Sequence, residues 1–145
     1  MAGLYYQEQE PFVLLGSKSG TTRTASTLTT AYAGNTSLKL HVEGMSKVTF
    51  YIRYTSTASS NKLSLRIRTS PIKDGTNMYQ LVNEAASGGT STLSLRTFEF
   101  TRTAAADEFA LPLDIYDGFV DIAAIETLDS GTHGTVYIEA MWSGR

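Results

Sequence analysis

The chain has 145 residues, with 12 Lys and Arg against 14 Asp and Glu for a formal charge of −2, and is 41% hydrophobic and 18% charged. That length favours a single domain able to bury roughly 70% of the surface its unfolded chain exposes, and the near-neutral charge argues against nucleic acid or an anionic membrane as partner. Cysteine is absent, which removes disulfides, thiolate metal sites and cysteine nucleophiles together and fits maturation in a reducing cytoplasm.

Residues 1–11 are polar and acidic and end at Pro11. They carry no Lys or Arg, and the apolar run that follows, Phe12 to Leu15, is four residues long, so neither a signal peptide nor a membrane span is expected. That run predicts a short strand added to a sheet edge or docked on a neighbour. From Ser17 to Thr30, nine of 14 residues are Ser or Thr and only Leu28 is a sizeable apolar group. Such a stretch predicts a long loop, or one ordered by a partner. Residues 1–34 therefore form an expected arm and loop, and residues 35–145 the folded body.

The body contains eight candidate strands bounded by turn residues. Ser37 to Val42 alternates Leu38, Leu40 and Val42. In Lys47 to Tyr54, Val48, Phe50, Ile52 and Tyr54 share one parity, and in Lys62 to Thr69, Leu63, Leu65 and Ile67 do the same. Successive strand side chains point to opposite faces, so each segment buries one row and shows water the other. Asn77 to Asn83 is weaker, and Ala85 with Ala86 suggests that it ends in a helical turn. Gly88 and Gly89 break the chain before Leu93 and Leu95, and a slip in parity before Phe98 and Phe100 predicts a bulge near Arg96.

Phe109 to Ile115 carries Pro112, which points to an edge position. Phe119 to Leu128 is almost continuously apolar, as a central strand covered on both faces would be, and Thr135 to Trp142 closes the chain with Val136, Ile138, Ala140 and Trp142 in phase. The expected fold is all-β: a single sandwich of about eight strands, of jelly-roll or Greek-key type, with an N-terminal arm. A strict jelly roll sends consecutive strands to opposite sheets, whereas a tight turn at Asp117 and Gly118 would pair its flanking strands as a hairpin.

No constellation for catalysis is evident. His41 has the parity opposite to Leu40 and Val42, which makes it a rim side chain, and His133 lies in a Gly-rich turn; no HExxH spacing joins either to a second ligand. The chain lacks a GxSxG elbow. Asp114, Asp117 and Asp121 cluster around a turn and would suit calcium only if their oxygens converged; the turn itself accounts for Asp117 beside Gly118. No enzyme activity, cofactor or metal is expected.

Interface chemistry stands out instead. If the segments at 47–54 and 62–69 pair through the loop at 57–60, Tyr51 lies opposite Arg66 and Thr49 opposite Arg68. Tyr51, Arg53, Arg66 and Arg68, with Lys62, then form one outward stripe of the kind enriched in protein interfaces. A solvated strand face is the plainer reading of that row. Tyr5, Tyr6, Phe12 and Leu14 place large apolar groups in the arm, where they would reach across to another chain.

The final stretch, DIAAIETLDSGTHGTVYIEAMWSGR, runs strand, Gly/Ser/Thr turn and last strand almost to the terminus. With the cysteine-free β body and polar lead-in, residues 35–145 resemble the capsid decoration (cement) and minor virion proteins of tailed bacteriophages. The resemblance implies a structural virion protein made in the host cytoplasm, a homo-oligomer with a trimer favoured, that binds the major capsid protein lattice and uses its N-terminal arm. The same strands also resemble carbohydrate-binding jelly rolls and fibre or receptor-binding domains, in which Tyr51, Tyr54, Tyr79 or Tyr116 would stack on sugars.

Overall fold

The computed structural model describes residues 10–42, 44–71, 78–114 and 118–144. One sheet has the order β1 (Phe12–Leu15), β14 (Thr135–Gly144), β6 (Met45–Thr55), β12 (Ala106–Leu113), and the other β11 (Phe98–Thr101), β7 (Lys62–Ser70), β13 (Phe119–Thr127), β5 (Leu40–His41). All pairings are antiparallel. Consecutive strands cross between the sheets at β5 to β6, β6 to β7 and β11 to β12, and again at β12 to β13 and β13 to β14. The all-β sandwich is thus wound as a jelly roll.

The two best-patterned segments, β6 and β7, lie in different sheets. Each has a fully apolar inward row, Phe50, Ile52 and Tyr54 against Leu63, Leu65 and Ile67, all at most 1% exposed. Two such rows bury more surface facing each other across the core than lying side by side, so the intervening loop spans the sandwich. The expected pairing of Tyr51 with Arg66 and of Thr49 with Arg68 is therefore not made. Crossing also replaces the hairpin expected at Asp117 and Gly118, since β12 and β13 belong to different sheets; Asp117 itself lies outside the described residues.

The expected break between arm and body at residue 34 is not where the fold begins. β1 pairs with β14, Phe12 opposite Ala140, and Leu14 is 3% exposed in the common core. The Ser/Thr-rich stretch is ordered too. Ser17–Ser19 (β2) and Thr22–Thr24 (β3) form a hairpin, and Ser26–Thr27 (β4) pairs with β14. Its one large apolar side chain is the reason: Leu28 is buried, and its amide donates to the Gly134 carbonyl at 2.9 Å. Beyond it a 3-10 turn, Tyr32–Asn35, leads to the free side of β13. There Thr36 bridges Ala123, and Ser37 gives its amide to the Ile122 carbonyl while its hydroxyl accepts from the Ile122 amide.

After β7 the chain adds a two-residue strand, Tyr79–Gln80 (β8), and then leaves the sandwich. Val82–Ser87 (β9) and Thr90–Leu95 (β10) pair only with each other, in place of the expected helical turn at Ala85 and Ala86. Gly88 and Gly89, at φ 58° and 80°, form the two-residue turn; positive φ at both central positions is what the twist of a tight hairpin requires. The parity slip near Arg96 is the junction where this hairpin ends and β11 begins, and no bulge is needed.

Candidate partner-binding surfaces

Register places the outward side chains of the β1–β14–β6–β12 sheet in rows. Tyr137, Arg53 and Glu108 form one row across three strands, and Glu139, Tyr51 and Ala110 the next. They line an open groove of about 470 Å3, capped at one end by Arg23 of the β2–β3 hairpin. Its charges pair among themselves: Arg53 Nη2 lies 2.8 Å from Glu108 Oε1, and Arg23 Nη2 3.1 Å from Glu139 Oε1. The Tyr137 hydroxyl donates to Glu139 Oε2 at 2.9 Å, and burial followed by that bond pushes the phenol up to about 12. Tyr51 stays 45% exposed as the groove's free aromatic face.

Arg66 and Arg68 project from the other sheet. Arg68 holds the buried Asp121 through two hydrogen bonds of 3.0 and 2.7 Å, directly across the β7–β13 ladder. Arg66 lies over the Tyr32 ring at 4.1 Å. The single stripe expected of Tyr51, Arg53, Arg66 and Arg68 is thus split between opposite outer faces, and each arginine has an internal partner. Of the carboxylates clustered in sequence around the expected turn at Gly118, Asp121 is committed to Arg68, and Asp117 lies outside the described residues. Among the described residues no group of three or more His, Asp or Glu could hold a metal ion.

Phe12 and Leu14, expected to reach toward a neighbour, pack on this chain's own core. Tyr5, Tyr6 and Tyr116 lie outside the described residues. Tyr54 is no sugar platform: it is fully buried, and its hydroxyl donates to Glu126 Oε2 at 2.5 Å. Burial, then that hydrogen bond, holds its phenol well above the usual range. Glu126 also accepts from the Gly134 amide at 2.7 Å, and His133 Nδ1 stands 3.3 Å away. This closed polar knot ties β6, β13 and the loop before β14 at one end of the sandwich. His41 is exposed and stacks on Phe119 at 4.5 Å.

The surface that sequence reasoning missed is the β9–β10 hairpin. Directly opposed residues share a face, so the register puts Val82, Glu84, Ala86, Ser91, Leu93 and Leu95 on one side, with Asn83, Ala85, Ser87, Thr90, Thr92 and Ser94 on the other. The first side carries an apolar ridge of Val82, Leu93 and Leu95 interrupted by Glu84, and the other is polar or small. Both leucines are 65% exposed. The signal was present in the Gly88-Gly89 pair flanked by alternating residues, a hairpin signature.

No family model matches the chain, and no curated protein matches it. Among solved structures it is similar to a carbohydrate-binding module, CBM28, described as specific for non-crystalline cellulose, at 10% identity and a TM-score of 0.49, over 90% of this chain and 80% of that one.

Two carboxyl groups make stability pH-dependent. The Thr103 hydroxyl, with the Thr103 and Ala104 amides, holds Asp107 below the usual carboxylate range. For Glu139 burial pushes upward, but hydrogen bonds from Arg23 and Tyr137 outweigh it and the net shift is down. Both groups ionise more readily folded than unfolded. Their stabilisation is therefore present above the unfolded values of about 4 and lost as pH falls through the lower folded values. The melting temperature is expected to be level from pH 7 to about 5 and to fall below about 4. An Arg23→Met protein should show a shallower fall; identical profiles would remove Glu139 from this account.

Proposed function

We propose that the chain is a structural virion protein that binds the major capsid protein lattice as a homo-oligomer and stabilises the shell without turnover. The observation that carries this reading is the amphipathic β9–β10 hairpin. An isolated two-stranded ribbon is marginal in water, and an exposed apolar row is the usual mark of a protein contact. A rigid jelly roll that holds such a ridge away from its own core suits a clamp between subunits. Its action would be mass action: a protein that binds only the assembled lattice raises that lattice's stability, and several linked copies strengthen the grip.

Mass spectrometry of purified particles whose genome encodes the chain is expected to find it in fixed ratio to the major capsid protein. Added to stripped shells, the protein is expected to raise their melting temperature. Particles that lack it, or shells that melt unchanged, would overturn the proposal. A second reading rests on the groove beside Tyr51, where a sugar ring would stack on the free phenol, accept hydrogen bonds from the flanking arginines and donate its hydroxyls to the flanking glutamates. In that case soluble oligosaccharides raise the melting temperature of the wild-type protein and not of Tyr51→Ala.

A further inference from the structure

The sandwich has a second open apolar feature, at the side where edge strands β11 and β12 meet. Leu65, Phe98, Phe100, Phe109 and Leu111, with Thr97 and Glu99, line a groove of about 340 Å3, and Glu99 is held by Lys62 at 3.3 Å. Its floor is the stacked pair Phe100 and Phe109, with centroids 4.1 Å apart. The volume is roughly twice that of a 150 Å3 cavity that holds a benzene ring, so it has room for more than one aliphatic side chain. The same chain therefore carries an apolar ridge and an apolar groove, each without a cover among the described residues.

The hairpin does not fill its own groove. Its base is pinned to the sandwich, with the Arg96 amide donating to the Leu81 carbonyl at 2.8 Å and the Leu81 amide to the Ile67 carbonyl at 3.1 Å. Only two residues separate Leu95 from Phe98 at the groove's wall, too few to fold the ridge back over it. Charge agrees with a contact between chains. Glu84, in the middle of the ridge, forms no ion pair among the described residues; beside the groove Arg96 lies 4.6 Å over the ring of the lining residue Phe98, and the one charged lining residue, Glu99, is already paired with Lys62.

We infer that the ridge of Val82, Leu93 and Leu95 docks in the β11–β12 groove of a second copy of this chain, with Glu84 meeting the neighbour's Arg96. The inference rests on the reading of the hairpin as a protein contact and names its partner. Ridge into groove is a heterologous contact, so copies follow head to tail and close into a ring where the rotation allows. Both apolar features then leave water in one step.

Light scattering at about 100 μM, where a contact of micromolar strength is saturated, is expected to show an oligomer. The L93D/L95D protein should be a monomer that melts as the wild type does at submicromolar concentration, where the wild type too is dissociated, because both side chains already face solvent in the single chain. Since the chain has no cysteine, separately prepared Leu93→Cys and Thr97→Cys proteins should give a mixed disulfide on oxidation after mixing. A wild-type monomer, an L93D/L95D oligomer, or an oligomer that yields no mixed disulfide overturns the inference. None of these results decides whether the chain sits on particles, which mass spectrometry settles independently.

Discussion

A chain lacking residues 1–16 is expected not to fold cooperatively at ambient temperature, measured against one lacking residues 1–10, which keeps β1. The longer deletion removes β1, and with it Leu14 and Leu15 from the core. Burying a side chain of that size contributes about 1.5–3 kcal/mol, so the pair accounts for about 3–6 kcal/mol. It also strips the outer edge of β14 and takes away the Leu14 carbonyl that accepts from the Leu38 amide. The sum approaches the total stability of a domain this size, about 5–15 kcal/mol. Circular dichroism melts of both truncations decide it. A 1–16 deletion that melts like the full chain would show that β1 adds nothing, and only the shorter deletion can test whether Tyr5 and Tyr6 serve a lattice contact.

Strand existence was legible wherever a period of two ran long enough to commit one face. Val48 to Tyr54 and Leu63 to Ile67 are inward rows of the structure residue for residue, and Pro112 sits on the edge strand β12. The continuous run in β13 reads correctly as a strand covered twice. Its inward row meets the core, while Asp121 and Ala123 are buried on the outer side, where Arg68 holds Asp121 and Thr36 bridges Ala123. What alternation does not encode is which sheet a strand joins. The side-chain period is the same whether β6 and β7 lie edge to edge or face to face, and the stripe of Tyr51, Arg53, Arg66 and Arg68 depended on that choice.

The hairpin escaped for a related reason. Leu93 and Leu95 alternate as core residues do, and nothing in the local pattern distinguishes a row that faces its own core from one that faces water or a neighbour. The order of residues 17–30 was hidden in the opposite way. Composition describes their Ser and Thr content, but one side chain, Leu28, and the backbone bond beside it tie the stretch to the end of β14.

Gly134→Ala is expected to cost roughly 4 kcal/mol and lower the melting temperature by about 10 °C. Gly134 enters β14 against the last residue of β6. A β-carbon there would fall on the Thr55 carbonyl oxygen, with the Thr55 carbonyl carbon at 2.9 Å and the Ser56 α-carbon at 3.0 Å. All three atoms are backbone, so no rotamer change relieves the overlap. Thr55 is paired on both sides, with Thr135 and Ala106, so moving it opens two ladders at once. The displacement would also stretch the bond from the Gly134 amide to Glu126 and the one its carbonyl accepts from Leu28, each worth about 1 kcal/mol. Gly20→Ala is the matched control: its φ is +59° but nothing lies within 4 Å of the added carbon, so only the left-handed backbone cost of about 1–2 kcal/mol applies. A Gly134→Ala protein that melts no lower than Gly20→Ala would show that the polar knot around Glu126 is loose enough to yield, and that the end of the sandwich is not fixed by it.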